Sequence, residues 1–184
     1  MKIDQIPSEI YIFKVKDFKE KKKKLLSYID SIDCDKRDNI ENGEILYTDF
    51  HANIEYTSKS YFNYFMGIVN GFLDEFKQHL NSSSVHENLL QVSGMWFQKY
   101  PIKGTHSWHY HAGPDVDYSS VLYVNLPNKS QPTVFKSNNI EYTPDLEEGD
   151  FIIFPATLLH SSPVSKSKEM KTIISCNLLT ITTD

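Results

Sequence analysis

The sequence predicts an α+β fold in which two N-terminal helices precede a jelly-roll or barrel of short β-strands. Apolar residues recur at helical spacing in two stretches of the first half of the chain. From Asn88 onward the chain changes to short runs of strand-forming residues separated by turn residues. Helices followed by a block of strands are typical of α+β folds and not of alternating βαβ folds.

The length of 184 residues fits one domain with a substantial core. We predict a single domain over 1–184. Residues 1–87 form a helical N-terminal support region in this prediction, and residues 88–184 form the strand-rich core.

The first predicted elements are a short strand at Glu9–Val15 and a helix over about residues 18–32. Asp17 and Glu20 have the spacing of a capping box at the start of this helix. The polar segment Asp33–Tyr56 is predicted to be irregular, with Asn42-Gly43 as a turn signal. This segment is open to two interpretations, a lid over a site or part of a homodimer interface.

A second helix is predicted over about residues 60–80, packed across one face of the sheet. Its apolar stripe comprises Tyr61, Phe65, Ile68, Phe72, Phe76 and Leu80. The predicted strands that follow are Leu89–Tyr100, Trp108–His111, Ser119–Asn125, Thr133–Lys136, Asp150–Phe154 and Lys171–Thr182.

Composition restricts the classes of partner. The net charge of −5 disfavours nucleic acid, because proteins that bind it usually carry a basic surface. No apolar run reaches the roughly 20 residues of a membrane span, and the N-terminus lacks the apolar segment of a secretory signal. The cysteines, Cys34 and Cys176, match no metal-binding spacing and indicate reduced thiols. We therefore expect a cytoplasmic protein without a membrane partner.

The placement of three histidines indicates a metal site. His109 and His111 lie two positions apart in a predicted strand, so their imidazoles share a face and can reach one metal at about 2.1 Å. His160 follows a glycine turn, a buried strand and Pro155, which would return a third imidazole across the barrel. By contrast, His106 has the opposite parity if the strand runs straight, and we predict that it is not a ligand. We place His51, His79 and His86 at the surface.

The segments Trp108–His111 and Ser119–Asn125 resemble the metal-binding region of 2-oxoglutarate/iron(II) oxygenases. The resemblance is to a small phage and bacterial, prolyl-hydroxylase-like branch that reads H-x-H, a short loop, then S-G-V-Y-Y-V. The segments Gly149–His160 and Lys171–Asn177 resemble the distal motif of the same branch, so the resemblance covers roughly residues 90–182. It implies a double-stranded β-helix, Fe(II), and 2-oxoglutarate as co-substrate. It further implies a dioxygenase that uses O2 to hydroxylate an unidentified small-molecule or peptidyl substrate.

The resemblance also implies residue roles. His109, His111 and His160 would be the catalytic iron ligands, and Lys171 would bind the C5 carboxylate of 2-oxoglutarate. The wider family usually has an arginine at the position of Lys171. Tyr123 could share this carboxylate, and Gln98 could line the same pocket.

The metal ligand set departs from the wider family, because His111 stands where that family has an aspartate. Three neutral imidazoles leave the full +2 charge on iron, and a dianionic co-substrate could compensate it. Alternatively, Asp115 or Asp117 in the loop after His111 could supply a carboxylate ligand.

Two other interpretations stay open. The spacing of His109, His111, Asp115 and His160 also resembles that of a cupin, a metal enzyme or metal-binding protein that needs no 2-oxoglutarate. The protein could also be a non-catalytic β-barrel binding module whose histidines form ordinary hydrogen bonds.

Overall fold

The computed structural model describes residues 1–6, 8–32, 34–39, 44–52, 54–127 and 132–183. The helices in these residues are α1 (Phe18–Asp30) and α2 (Phe62–Ser82), with a short 3₁₀ helix at Tyr56–Ser58. The strands are β1 (Lys2–Ile6), β2 (Ser8–Lys14), β3 (Asp35–Asn39), β4 (Glu44–Thr48), β5 (Glu87–Tyr100), β6 (His106–His109), β7 (Tyr118–Asn125), β8 (Val134–Ser137), β9 (Ile140–Tyr142), β10 (Asp150–Pro155), β11 (Leu159–Ser162) and β12 (Lys171–Thr183).

The described strands form two antiparallel sheets. The larger sheet has the order β1-β2-β10-β7-β12-β5-β4-β3, and the smaller has the order β6-β11-β8-β9. Their facing sides share an apolar core, in which Phe135 of β8 contacts Phe154 of β10 with ring centroids 4.9 Å apart. This arrangement is a double-stranded β-helix, which confirms the predicted fold class.

Alternation along the central strands divides the core into two layers. On β10, Phe151 and Ile153 point to the helices, whereas Ile152 and Phe154 point to the smaller sheet. The buried strand therefore has two apolar faces, which explains why it reads as a continuous apolar run. The layer between the sheets also contains the candidate site.

Helices α1 and α2 cover the outer face of the larger sheet, as predicted for the second helix. Phe65, Val69 and Phe76 of α2 are buried there, together with Leu25 and Ile29 of α1. The apolar stripes of the two helices are therefore core. No helix among the described residues has the length and apolarity to cross a membrane.

The structure corrects the predicted capping box. Asp17 is the residue before α1, but its backbone is left-handed (φ 50°) and its side chain makes no capping hydrogen bond. A capping side chain needs an extended backbone at this position to reach the first amide groups. The start of α1 is instead packed by Phe18, which lies against Gly149.

The N-terminal half is not only helical. Strands β3 and β4 lie in the segment predicted to be irregular, and β4 joins the larger sheet through the pairs Tyr47↔Lys99 and Thr48↔Gln98 on β5. Strands β1 and β2 extend the opposite edge. The described residues before β5 therefore contribute four strands to the larger sheet. The predicted Asn42-Gly43 turn lies outside the described residues.

Gly149 makes the turn into β10 that the sequence indicates. Its φ is +89°, and a Cβ atom there would lie 2.8 Å from the ring of Phe18. Its amide donates to the carbonyl of Tyr123 at 2.9 Å, and its carbonyl accepts from Val15 at 3.1 Å. This turn therefore needs glycine both for its backbone conformation and for its close packing.

Candidate metal centre

Three histidines meet at one end of the space between the sheets. His109 is the last residue of β6 and stands opposite His160 of β11 in the strand register. His111 lies just beyond β6, where its amide donates to the carbonyl of Ala156 at 2.8 Å. One ring nitrogen of each of the three residues lies within 4.8 Å of the corresponding nitrogens of the other two. The structure therefore brings together all three histidines singled out in the sequence.

The Nδ1 atom of each ring in this cluster has a partner. His109 Nδ1 donates to the carbonyl of Ser107 at 2.7 Å, and His160 Nδ1 donates to the carbonyl of Leu158 at 2.8 Å. A carbonyl oxygen can only accept, so the proton of each neutral ring is on Nδ1. The Nε2 lone pair is then available to a metal. The hydrogen bond at Nδ1 fixes the orientation of the ring, as it does in known histidine metal sites.

His111 has the corresponding arrangement with side-chain partners. Its Nδ1 lies 2.7 Å from Asn177 Oδ1 and 2.8 Å from Ser119 Oγ. Asn177 is on β12 and Ser119 on β7, so the ring is held by the larger sheet. With Asn177 Oδ1 as the acceptor, Nδ1 carries the proton and Nε2 is again free for a metal.

Burial favours the neutral form of two of these imidazoles. It lowers the pKa of His111, and it lowers the pKa of His160 well below the ordinary value, with the neighbouring His109 acting in the same direction. A neutral imidazole has the lone pair that a metal needs. The electrostatics therefore favour metal binding over protonation.

His106 is outside the metal-compatible cluster, as predicted, but its ring lies beside that cluster and not on the opposite face of the strand. Between the register pairs His160↔His109 and Ser162↔His106, three steps along the chain of β6 face two steps along β11. This β-bulge reverses the alternation of side chains, so the parity of a straight strand no longer applies. The ring of His106 stacks on the ring of His109, with centroids 3.9 Å apart and planes inclined by 29°.

The loop carboxylates lie apart from the histidine cluster. Asp117 is exposed, and its Oδ2 accepts from the backbone amide of Thr180 at 2.7 Å and from the Thr180 hydroxyl. Asp115 is also exposed. Among the described residues, the metal-compatible cluster contains histidines alone.

The three remaining histidines are not part of the metal-compatible cluster found among the described residues. His51 and His86 are exposed as predicted, whereas His79 is half-buried and its ring packs against Tyr11 with centroids 5.3 Å apart.

A cavity of about 390 Å³ adjoins the histidine cluster. Both sheets contribute to its wall, and Trp96, Gln98 and Tyr100 line it from alternate positions of β5, as their shared parity predicts. None of the described residues that line it is Asp, Glu, Lys or Arg. The polar side chains that line it include Ser119, Ser120, Ser161, Ser162 and Asn177.

Lys171 and Tyr123 lie behind this wall. Lys171 is 1% exposed, its Nζ donates to Ser162 Oγ at 2.8 Å, and it lies 5.0 Å from the ring centroid of Tyr100. Tyr123 is fully buried, and its hydroxyl donates to Thr133 Oγ1 at 2.7 Å. Lys171 therefore contacts the cavity wall through Ser162 and Tyr100, and Tyr123 contacts it through Thr133.

Phe50 is a residue of the site that has no signal in the sequence. It lines the cavity from the segment after β4, is 54% exposed, and packs edge-on against Trp96 with centroids 5.0 Å apart. A single phenylalanine in a polar segment shows no periodicity, so only the tertiary structure assigns it to the cavity.

Comparison with solved structures identifies the fold. The chain is similar to a prolyl-4-hydroxylase from Pseudomonas putida, with 10% identity, a TM-score of 0.65, and coverage of 92% of this chain and 91% of the other. It is similar to a prolyl hydroxylase from Trichoplax adhaerens, solved with a peptide fragment of the hypoxia inducible factor, with 11% identity, a TM-score of 0.68, and coverage of 92% and 83%.

A third similar structure is a viral collagen prolyl hydroxylase from Paramecium Bursaria Chlorella virus-1, solved with 2-oxoglutarate. The identity is 14%, the TM-score is 0.57, and the coverage is 91% of this chain and 95% of the other. No family model matches the sequence, and no curated protein matches it. At these identities the comparison concerns architecture: the chain has the double-stranded β-helix fold of the 2-oxoglutarate/iron(II) oxygenases.

Proposed function

We propose that this protein is an Fe(II)- and 2-oxoglutarate-dependent dioxygenase that hydroxylates an organic substrate. The observation that carries the proposal is the convergence of His109, His111 and His160 beside a cavity in this fold, with each Nδ1 already bonded. The fold of the solved oxygenases supports the reaction class.

The donor set fits iron. Imidazole nitrogens suit Fe(II), and three ligands on one side of a metal leave positions open for a co-substrate and O2. Three neutral ligands leave the full +2 charge on the metal, so a dianionic chelator such as 2-oxoglutarate would balance it. His109, His111 and His160 would hold the metal.

The position of Lys171 fits the other end of 2-oxoglutarate. Ser162, which bonds to its ammonium, lies two residues after His160 on β11, roughly 7 Å along the strand. A five-carbon dicarboxylate could place one end at the histidines and its C5 carboxylate near Ser162. In this proposal Lys171 and Ser162 bind that carboxylate. Tyr123 acts through Thr133, and Gln98 borders the pocket.

When bound, iron and 2-oxoglutarate together supply the oxidation, in which one atom of O2 enters succinate, the other enters the substrate, and CO2 is released. The protein binds and orients the reactants, because its ring partners fix the three imidazoles. Aromatic side chains, among them Trp96, Tyr100 and Phe154, also form part of the cavity wall and limit the access of water to it.

The substrate is proposed only as a class. A small molecule or a peptide could enter past Phe50 and Tyr110, which line the cavity and are both more than half exposed. One similar structure is a complex with a peptide fragment, which supports a peptidyl substrate. A cytoplasmic location and a homodimer stay predictions from the sequence.

The proposal is tested with protein loaded anaerobically with Fe(II), exposed to O2 and assayed for conversion of 2-oxoglutarate to succinate. Pooled peptides and metabolites serve as candidate substrates. We expect succinate formation that a substrate stimulates and that His160→Ala abolishes. Stoichiometric iron without binding of 2-oxoglutarate would instead favour the cupin interpretation, which the all-histidine cluster also fits. The absence of iron would favour a non-catalytic binding module.

A further inference from the structure

We propose that His106, together with Gln98, is a positioning residue that fixes the plane of the His109 ring for metal binding. The inference rests on the proposed function in one respect, that His109 is a metal ligand. It does not depend on 2-oxoglutarate or on the substrate.

The first argument is that the strand holding His109 is weakly restrained. Strand β6 is an edge strand of the smaller sheet, and its paired neighbour there is β11. The β-bulge interrupts this pairing between His106 and His109. An edge strand has one ladder of hydrogen bonds instead of two, so a ligand at its end needs further contacts to hold its position.

The second argument concerns the side-chain torsions of His109. The χ2 torsion of histidine is broad, so a rotamer alone does not set the plane of the ring. The bond from Nδ1 to the Ser107 carbonyl holds one edge of the ring. The stacked ring of His106 covers a face of it, at 3.9 Å between centroids and 29° between planes. Both contacts together determine where Nε2 points.

The third argument is that His106 is itself anchored from the other sheet. Gln98 Nε2 donates to His106 Nδ1 at 3.2 Å, and Gln98 is a residue of β5 that is 8% exposed. An amide nitrogen can only donate, so Nδ1 of His106 accepts and its proton is on Nε2, the opposite tautomer to His109. The bond therefore connects the larger sheet to the edge strand beside the metal ligand.

The geometry also distinguishes His106 from a fourth ligand. Nδ1 of His106 accepts from Gln98 and its Nε2 carries the proton, so neither ring nitrogen of His106 offers a lone pair to a metal in this arrangement. The cluster with ligand atoms within 4.8 Å contains the other three histidines alone among the described residues.

The test is an anaerobic titration with Co(II), whose visible absorption reports coordination geometry, on wild type and four variants. His106→Ala removes the stack and the hydrogen bond, His106→Phe keeps a stacking ring, and Gln98→Leu removes the hydrogen bond alone. His86→Ala is the matched control, because His86 is exposed and is not part of the cluster. Thermal unfolding of each metal-free protein reports whether the variant is folded.

We expect His106→Ala to weaken Co(II) binding by about 10- to 100-fold, the usual effect of losing a residue that orients a ligand, and to alter the Co(II) spectrum. His106→Phe should recover part of the affinity through stacking, Gln98→Leu should show an intermediate loss, and His86→Ala should match wild type. If His106→Ala does not fold, His106→Phe and Gln98→Leu still test the hydrogen bond between His106 and Gln98. If both of these variants bind Co(II) as tightly as wild type, the proposed role of His106 and Gln98 is overturned.

Two results overturn the proposal while leaving the metal site intact. The first is unchanged affinity and spectrum in folded His106→Ala. The second is that His106→Phe loses as much Co(II) affinity as His106→Ala while Gln98→Leu loses none, since His106 would then be a metal ligand itself. Wild type that binds no Co(II) or Fe(II) overturns both this inference and the proposed function. Metal binding that depends on His106, without turnover of 2-oxoglutarate, overturns only the oxygenase.

Discussion

The Nζ atom of Lys171 lies 2.8 Å from the hydroxyl oxygen of Ser162, in the buried interior of the protein. The face of the Tyr100 ring is a second neighbour, with its centroid 5.0 Å from Nζ. Among the described residues no carboxylate forms an ion pair with this ammonium. A buried cation with a hydroxyl and a ring as partners is incompletely compensated, so a bound carboxylate would stabilise it.

The first prediction is that Lys171→Ala weakens 2-oxoglutarate binding about 10- to 100-fold. A charge-assisted hydrogen bond contributes about 1.5–3 kcal/mol, which corresponds to this factor. Lys171→Arg should recover part of the loss, limited by its larger planar group. The measurement is anaerobic titration of 2-oxoglutarate into metal-loaded protein, with exposed Lys168 replaced by Ala as the control. Equal affinities in wild type and Lys171→Ala would remove Lys171 from the site.

The second prediction concerns the pH dependence of the same binding. Burial lowers the pKa of Lys171 to about 7, so its charge is lost as the pH rises through this value. The C5 carboxylate needs the charged form, and binding therefore requires uptake of a proton above pH 7. The affinity for 2-oxoglutarate should fall by up to about tenfold per pH unit above about pH 7. Below about pH 7 the contribution of Lys171 to this affinity should be constant, because the lysine is then fully charged.

The measurement for this prediction is the 2-oxoglutarate dissociation constant between roughly pH 6 and pH 9, in wild type and in Lys171→Met. The substituted protein should lose the slope above pH 7, because methionine has no charge to titrate. A slope of equal size in both proteins would assign the titration to another group.

The sequence predicted much of the fold because its signals are local. The apolar stripe of α2 and the two-sided apolar run of β10 follow directly from periodicity and from burial on both faces. The sequence does not predict β3 and β4, because each has five residues in a largely polar segment and shows no clear periodicity. The pairing of Tyr47 with Lys99 is what joins β4 to the sheet.

The same distinction applies to the site. Spacing suffices to select His109 and His111, and the strand register places His160 opposite His109. The position of His106 depends on a β-bulge that forms only when β6 pairs with β11, so straight-strand parity gave the wrong side. The ring partner Asn177 lies 66 residues from His111, and Phe50 reaches the cavity from the N-terminal half. Such contacts are set by tertiary structure.

The third prediction separates His111 from the loop carboxylates as the third ligand. His111→Ala should weaken Fe(II) binding strongly, since one of three ligands is lost, whereas His111→Asp should retain iron because a carboxylate is also an accepted ligand. Asp115→Ala is the control and should bind like wild type, because Asp115 is exposed. Anaerobic Fe(II) titration measures all three. Unchanged binding in His111→Ala with loss in Asp115→Ala would make the carboxylate the ligand.

The fourth prediction concerns an ion pair that supports the cavity wall. Lys59 Nζ lies 2.9 Å from Asp49 Oδ2, and both side chains are buried. The same carboxylate accepts from the hydroxyl of Tyr61 at 2.9 Å and from the amide of Phe97 at 2.8 Å. Asp49 directly precedes Phe50, so this network connects the segment after β4 to β5 and holds Phe50 at the cavity.

We expect Lys59→Met to lower the free energy of unfolding by about 3–5 kcal/mol, because the Asp49 carboxylate would stay buried without its cation. The double variant that combines Asp49→Asn with Lys59→Met should lose less free energy of unfolding than Lys59→Met alone, since no unpaired charge is then buried. Lys77→Met is the matched control: Lys77 faces the exposed Asp74 at 3.5 Å, and pairs of this kind contribute about 0–1 kcal/mol. Urea unfolding of the four proteins at neutral pH provides the measurement. A loss in Lys59→Met no larger than that in Lys77→Met would show that the buried pair does not stabilise this wall.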